Sequence, residues 1–229
     1  SRGPGLAALA ACLAPLAVGF AIPAAMLARL APQSPEERDA VAQAGVKLQI
    51  GFNRRFAPFV QDMKRFLAGQ HEPLVAHYRV NAGYIPLSHW VHDPEQGGGR
   101  LIGEACHFVD FITFLVGAAP VAVSAQGLPD GGRYREDNVT MTFTFSNGST
   151  GVVNYLANGD KSFPKERVEV FCGGRVGVLD DFRSLELVAN GQRSVTRSAL
   201  RQDKGHQAGW SAFLEAIRKG SPAPIPYAD

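Results

Sequence analysis

Apolar and polar positions alternate in two different rhythms along this chain, and the change of rhythm divides it. In the first half the period is helical. Residues 34–45 read as a helix: Ser34 can cap it, Pro35 suits the first helical position, Glu37 completes a capping box and Gly45 is the stop. Residues 46–52 read as a short buried strand. Residues 56–67 place Phe56, Phe59, Val60, Met63, Phe66 and Leu67 on one helical face, ended by Gly69. A strand is expected at 74–80. A long Gly-, Pro- and His-containing loop follows at 81–99, and then an apolar helix at 101–116 stopped by Gly117.

After Pro120 the period becomes two. Residues 139–145 alternate apolar and polar, and Asn147-Gly148 is a hairpin turn into 150–156. Further short strands are expected at 121–125, 167–172, 175–179, 184–189 and 192–197, and a closing helix at 207–219. Consecutive strands joined by short turns, with helices before and after, predict an α+β fold: an open, mainly antiparallel sheet with helices on one face. The helix–glycine–strand stretch ahead of it reads as the remnant of a Rossmann-type αβ unit.

Composition narrows the class. The chain has 229 residues, 45% of them hydrophobic and 19% charged, which is enough apolar mass for a core. A formal charge of +2, without a basic stripe interleaved with aromatics, argues against nucleic acid as a partner. Cys12, Cys106 and Cys172 form no close pair, which fits a reducing, cytoplasmic setting. Residues 6–28 carry no charge and are long enough to span a bilayer, so export or anchoring is the alternative. Pro15, Pro23 and many alanines weaken that run, and a membrane partner is not expected. Gly3-Pro4-Gly5-Leu6-Ala7-Ala8 mimics a dinucleotide fingerprint but lacks a preceding strand and a following acidic residue.

The chemistry concentrates in one place. A flexible triple glycine, Gly97-Gly98-Gly99, is expected to lead into the apolar helix, which carries Glu104, His107 and Asp110 at three-residue spacing, roughly on one side. A titratable histidine flanked by carboxylates on an apolar helix is either a general base or a core histidine held by a carboxylate. Asn53, Arg54 and Arg55 follow the expected strand end at 52, where α/β ligands gather; the other reading is a solvated turn. Trp90 could stack on a sugar face or pack. Lys161 and Lys165 could bind a charged or hydroxylated substrate or remain solvated. Glu104-x-x-His107 and His89-x-x-His92 are too sparse to close a metal site.

Three runs, 51–58, 97–110 and 165–171, together resemble the glucose–fructose oxidoreductase / inositol dehydrogenase / MocA (Gfo/Idh/MocA) family. They are most similar to the branch fused behind a zinc-type alcohol dehydrogenase-like portion. The resemblance covers about residues 33–227. It implies a C-terminal α+β domain that shapes the substrate site of an NAD- or NADP-dependent oxidoreductase acting on a sugar or cyclitol CH–OH group. His107 falls on the family's acid/base histidine and Asp110 on a later acidic position. Gly103 stands where the family has an aspartate, and Glu104 is the adjacent carboxylate.

The Glu-Lys-Pro motif of the family is absent; Arg29-Leu30-Ala31-Pro32 occupies that neighbourhood. Residues 1–32 are therefore expected to be an atypical apolar segment, an artefact or a truncated Rossmann remnant, and 33–229 a substrate and oligomerisation domain. The resemblance assigns His107 to catalysis, with Glu104 beside the family's aspartate position as its candidate partner; the residues themselves offer Asn53, Arg54, Arg55, Trp90, Lys161 and Lys165 for a small polyhydroxylated substrate. No residue is assigned to the cofactor. The chain alone is expected to bind no nicotinamide cofactor and to be inactive. It is expected to pair with a second copy through the sheet face; a non-enzymatic binding or dimerisation module is the alternative.

Overall fold

Alternating sequence becomes sheet wherever a neighbouring strand exists to satisfy its backbone. The computed structural model describes residues 39, 41, 43–93, 96–198 and 201–225. A 3-10 turn (Asn53–Phe56) leads into helix α1 (Pro58–Leu67) and strand β1 (Val75–Asn81). A second 3-10 turn (Trp90–His92) and a π-helical turn (Leu101–Ala105) precede helix α2 (Cys106–Val116). Seven strands follow: β2 (Pro120–Gly127), β3 (Asn138–Phe145), β4 (Thr150–Leu156), β5 (Glu166–Cys172), β6 (Arg175–Asp180), β7 (Ser184–Ala189) and β8 (Gln192–Arg197). Helix α3 (His206–Lys219) closes the order.

The eight strands form one open sheet in the order β2-β3-β4-β1-β5-β6-β7-β8. The expected α+β class with a mainly antiparallel sheet is present. One pairing is parallel: β1 lies beside β4 with Val75 opposite Thr150 and Asn81 opposite Leu156. Parallel neighbours need a crossover, and the 81–99 loop with α2 begins it.

Helices cover one face. α2 packs on β1 and β4, and α1 on β6 and β7. Tyr78 of β1, fully buried, meets Phe108 and Phe111 of α2 edge-on at centroid distances of 5.0 and 4.9 Å. Edge-on aromatic pairs add to the gain from burial. α2 comes so close to β4 that a Cβ on Gly151 would lie 2.5 Å from Ile112 Cγ2. The opposite face carries half-exposed residues such as Thr142, Val152, Arg79 and Val178, with Phe171 44% exposed.

Three expectations need correction. Residues 46–52 form no strand; they run as irregular chain with Val46 exposed, and Ile50 N donates to Ile225 O at 3.2 Å. No described strand lies beside them, and an apolar run without a partner cannot make a ladder. The helix expected over 101–116 begins with five π-helical residues before becoming α-helical. The triple glycine is a pinned turn: Gly97 N donates to Asp93 O at 2.9 Å and Gly99 N to Val91 O at 3.0 Å. A Cβ on Gly97 would strike the Val91 backbone at 2.5 Å, and Gly99 has φ +90°, so glycine is required at both.

The helix expected over 34–45 is described only at its end, where Gly45 takes the left-handed φ of +62°. Its cap at Ser34 and the apolar run at 6–28 lie outside the described residues. Among the described residues, no helix is long and apolar enough to cross a membrane.

Candidate functional site

The π turn decides where the chemistry-bearing side chains go. A π-helical residue advances by less rotation than an α-helical one, so Glu104, at the end of that turn, and His107, in the first turn of α2, acquire separate surroundings. No hydrogen bond joins them among the described residues.

Glu104 reaches across to the sheet. Its carboxylate accepts from Lys165 Nζ and, at 2.5 Å, from Tyr155 Oη, and Arg100 lies 3.5 Å away. Burial raises the Glu104 carboxyl, but the hydrogen bonds from Lys165 and Tyr155 outweigh it and hold the group below its ordinary value. Burial and the Glu104 charge push the Tyr155 phenol far upward, so it remains a donor. Arg100, just past the glycine turn and 3% exposed, is tied to Gly83 O at 2.7 Å and lies 3.5 Å from buried Asp137.

His107 is half-buried, its ring edge-on to Phe52 with centroids 5.5 Å apart. Its Nδ1 is buried and meets no hydrogen-bond partner, which leaves Nε2 as the nitrogen a ligand can reach. Burial, then the nearby Arg54 charge, lowers its pKa below the ordinary histidine value, while Glu104 and Glu166 oppose the shift. The imidazole is therefore neutral at neutral pH, the state a base needs.

The other candidates separate. Arg54 turns into the interior: Nε and one terminal nitrogen donate to Glu166 at 2.8 and 3.0 Å, and the guanidinium lies 4.9 Å above the Phe108 ring. Glu166, 1% exposed, also accepts from Tyr78 Oη and, at 2.6 Å, from Lys204 Nζ. Burial raises this carboxyl, but Arg54 and Lys204 hold it down at about 2. Arg55 forks onto Asp110 at 2.5 to 3.0 Å, across the 55 positions that separate them. Asn53 Nδ2 donates to Lys204 O at 2.7 Å. Trp90, 59% exposed, stands on the loop ahead of the glycine turn. Lys161 and Lys165 line one cavity.

Two cavities flank this arrangement. An apolar one of about 260 Å3 lies between residues 49–56 and α3, with Asn53, Phe56, His206, Trp210 and Phe213 in its wall. A polar one of about 480 Å3 lies beyond Lys165. His107 lines neither cavity; its ring neighbour Phe52 precedes Asn53 of the first, and Glu104, one turn before it, binds Lys165 of the second. Sequence reasoning missed Tyr155, Glu166 and Lys204. Glu166 lay in a run already singled out, but only its fold-level pairing with Arg54 distinguishes it.

Among the described residues no strand passes through a glycine-rich turn into a helix N-terminus. No described element therefore offers the backbone cradle a dinucleotide pyrophosphate needs. The same residues contain no group of three His, Cys, Asp or Glu able to hold a metal ion.

Residues 69–174 match the GFO/IDH/MocA C-terminal domain. An uncharacterized oxidoreductase of Bacillus subtilis, YrbE, is 28% identical over a match covering 61% of this chain and 42% of that protein. The chain thus spans less than half of that relative. The fold is shared with the aldose-aldose oxidoreductase of Caulobacter crescentus complexed with glycerol, at TM-score 0.70 and 19% identity over 84% of this chain and 60% of that one. It is shared also with the UDP-N-acetylglucosamine 3-dehydrogenase of Acidithiobacillus ferrooxidans, at TM-score 0.64 and 23% identity over 84% and 61%. An Agrobacterium radiobacter oxidoreductase in complex with NAD+, L-tartaric acid and magnesium matches at TM-score 0.66 and 16% identity over 85% and 61%. The likeness to the GFO/IDH/MocA C-terminal domain rests on the sequence of residues 69–174, and the solved oxidoreductases share the fold over 84 to 85% of the chain.

Proposed function

We propose that this chain supplies the substrate side of an NAD- or NADP-dependent oxidoreductase that acts on a CH–OH group of a sugar or cyclitol-like molecule. The observation that carries this reading is His107, a half-buried imidazole with a lowered pKa, packed edge-on against Phe52 and with its Nδ1 buried, so that Nε2 is the nitrogen left for a substrate proton. Nε2 accepts the proton of the substrate hydroxyl. Glu104, itself anchored by Lys165 and Tyr155, supplies a nearby negative charge that steadies the imidazolium formed. Lys165 and Asn53 stand at the two cavities, where they can bind substrate hydroxyls.

The hydride acceptor has to be held by residues outside the described domain, so the chain by itself is expected to turn over no substrate. The names of the structural neighbours, which include a sugar oxidoreductase, a sugar-nucleotide dehydrogenase and a complex with NAD+, support the substrate and cofactor class. Fusion behind a zinc-type alcohol dehydrogenase-like portion and residence in the cytoplasm belong to the same reading. The deciding experiment measures nicotinamide reduction by a panel of aldoses and cyclitols in the protein that joins this chain to a dinucleotide-binding domain, beside its His107→Asn variant. Lost turnover with retained substrate affinity supports the reading, and unchanged turnover overturns it.

The open sheet face favours a second role alongside the first. Val75, Phe171 and Val195 are 40 to 44% exposed there, on a face that also carries threonines, valines, Arg79 and the Arg167–Glu169 pair, a surface suited to a second copy of the chain. Light scattering checks this. A dimer that Phe171→Lys dissociates supports the pairing, whereas a monomer in the unaltered protein removes it.

A further inference from the structure

The polar cavity beyond Lys165 sets four cations against two carboxylates of its own wall, Asp180 and Asp181. Lys161, Lys165, Arg183 and Lys204 all reach it. Lys165 and Lys204 are aimed by carboxylates outside its wall, Glu104 and Glu166. An ammonium has three donors, and each of these contacts occupies one. Glu166 is itself met by two cations, Arg54 and Lys204, so that cluster keeps a net positive charge.

Lys161 has no carboxylate within ion-pair distance among the described residues, and its stem packs where any side chain on Gly83 would collide with it. Each carboxylate of the wall is already engaged, Asp181 in part by Arg183 of the same wall, 3.6 Å away. Asp180 lies 3.6 Å from Arg167, and Asp181 accepts from Glu166 N at 3.3 Å and from Gln202 Nε2 at 2.5 Å.

The backbone around the cavity is held in a costly shape. Asp181 and Phe182, neither of them glycine, have φ of +47° and +53° in the β6–β7 turn. Phe182 is 1% exposed, and Lys204 Nζ lies 5.5 Å from its ring centre. Burying that ring fixes the turn, and the turn presents Arg183 at the cavity. Strain of this kind persists where surrounding structure over-determines it, and it gathers at ligand sites.

The geometry points to a phosphate site: the cavity takes the phosphate or diphosphate of the substrate while its hydroxyl carbon lies toward His107. Lysines bind phosphate as point charges and an arginine by a fork, both through charge-assisted hydrogen bonds. The identification of the ligand as substrate rests on the reading of His107 given above; the anion site itself does not.

The test is calorimetric titration of the 229-residue chain with inorganic pyrophosphate. Binding is expected that weakens as salt rises, and that falls by about tenfold or more in the Lys161→Ala/Arg183→Ala double variant, whose melting is checked first. Lys161→Arg is expected to restore most of the affinity. A hexose 1-phosphate should displace pyrophosphate, and NADH should not. His107→Asn should leave pyrophosphate affinity unchanged, so a failure of His107 as base and a failure of the anion site are seen separately. Absence of pyrophosphate binding at millimolar concentration, equal binding by a folded double variant, or displacement by NADH alone overturns the proposal.

Discussion

Arg54 and Glu166 are separated by 112 positions in the chain and joined by two hydrogen bonds in the interior, at 2.8 and 3.0 Å. The pair ties the turn ahead of α1 to the first residue of β5. Replacing Glu166 by Gln leaves Arg54 and Lys204 without their carboxylate and should cost about 3–5 kcal/mol, as removal of one partner of a buried ion pair does. Urea unfolding of the variant measures it.

The same carboxylate makes stability depend on acid. Its folded pKa, about 2, lies below the ordinary value of 4.5, so the folded state holds its proton less tightly than the unfolded one. The stabilisation is present above pH 4.5 and is lost as the pH falls toward 2. Unfolding curves between these limits should steepen in the unaltered protein, and the Glu166→Gln variant should lack that component.

Lys165 should behave differently. It is 40% exposed on its side chain and its Glu104 partner 27%, so Lys165→Met should change stability by about 1 kcal/mol or less. Its effect should appear in titration instead. Without the Lys165 hydrogen bond the Glu104 carboxyl should move upward, which carbon-detected NMR of the side chain reads.

Burial and Arg54 hold the imidazole of His107 neutral below its ordinary pKa of 6.5. In the enzyme that contains this domain, kcat/KM should therefore persist to a pH below 6.5 before its acid limb falls. His107→Ala should lower turnover by roughly a hundredfold or more. A pH profile and the variant together check this; near-normal turnover would reduce His107 to a packing residue.

Gly151 offers a purely steric test. A Cβ there would lie 2.5 Å from Ile112 Cγ2 and 3.2 Å from Phe145. Gly151→Ala should cost about 1–3 kcal/mol by overpacking α2 against β4. Gly151→Ala should cost less in an Ile112→Ala background, where the Cγ2 it strikes is gone, than in the unaltered protein, as paired thermal melts read.

Strands β3 to β8 were readable because each announces itself locally, by alternation and by a turn residue such as Gly148 or Gly191. β7 and β8 begin and end where the pattern put them. The β1–β4 pairing was not readable, since nothing near Val75 names Thr150 as its neighbour. Residues 46–52 look like a strand but have no described strand to pair with. At the site, His107, Glu104 and Lys165 were visible as residue types. Their relationships were not: the π turn that parts Glu104 from His107 has no sequence signature, and Glu104 meets Lys165 across 61 positions. Arg54 and Arg55 look alike in sequence, yet one forks onto Glu166 and the other onto Asp110.

Because β1 lies between β4 and β5, the order of synthesis and the order of assembly conflict. The ribosome makes β1 first and then three strands that can zip together as a meander, while Ala76, Tyr78 and Val80 wait without a ladder on either side. The later meander, β5 to β8, can also form by itself. A central strand born early and married late is the stretch most in need of shelter during translation.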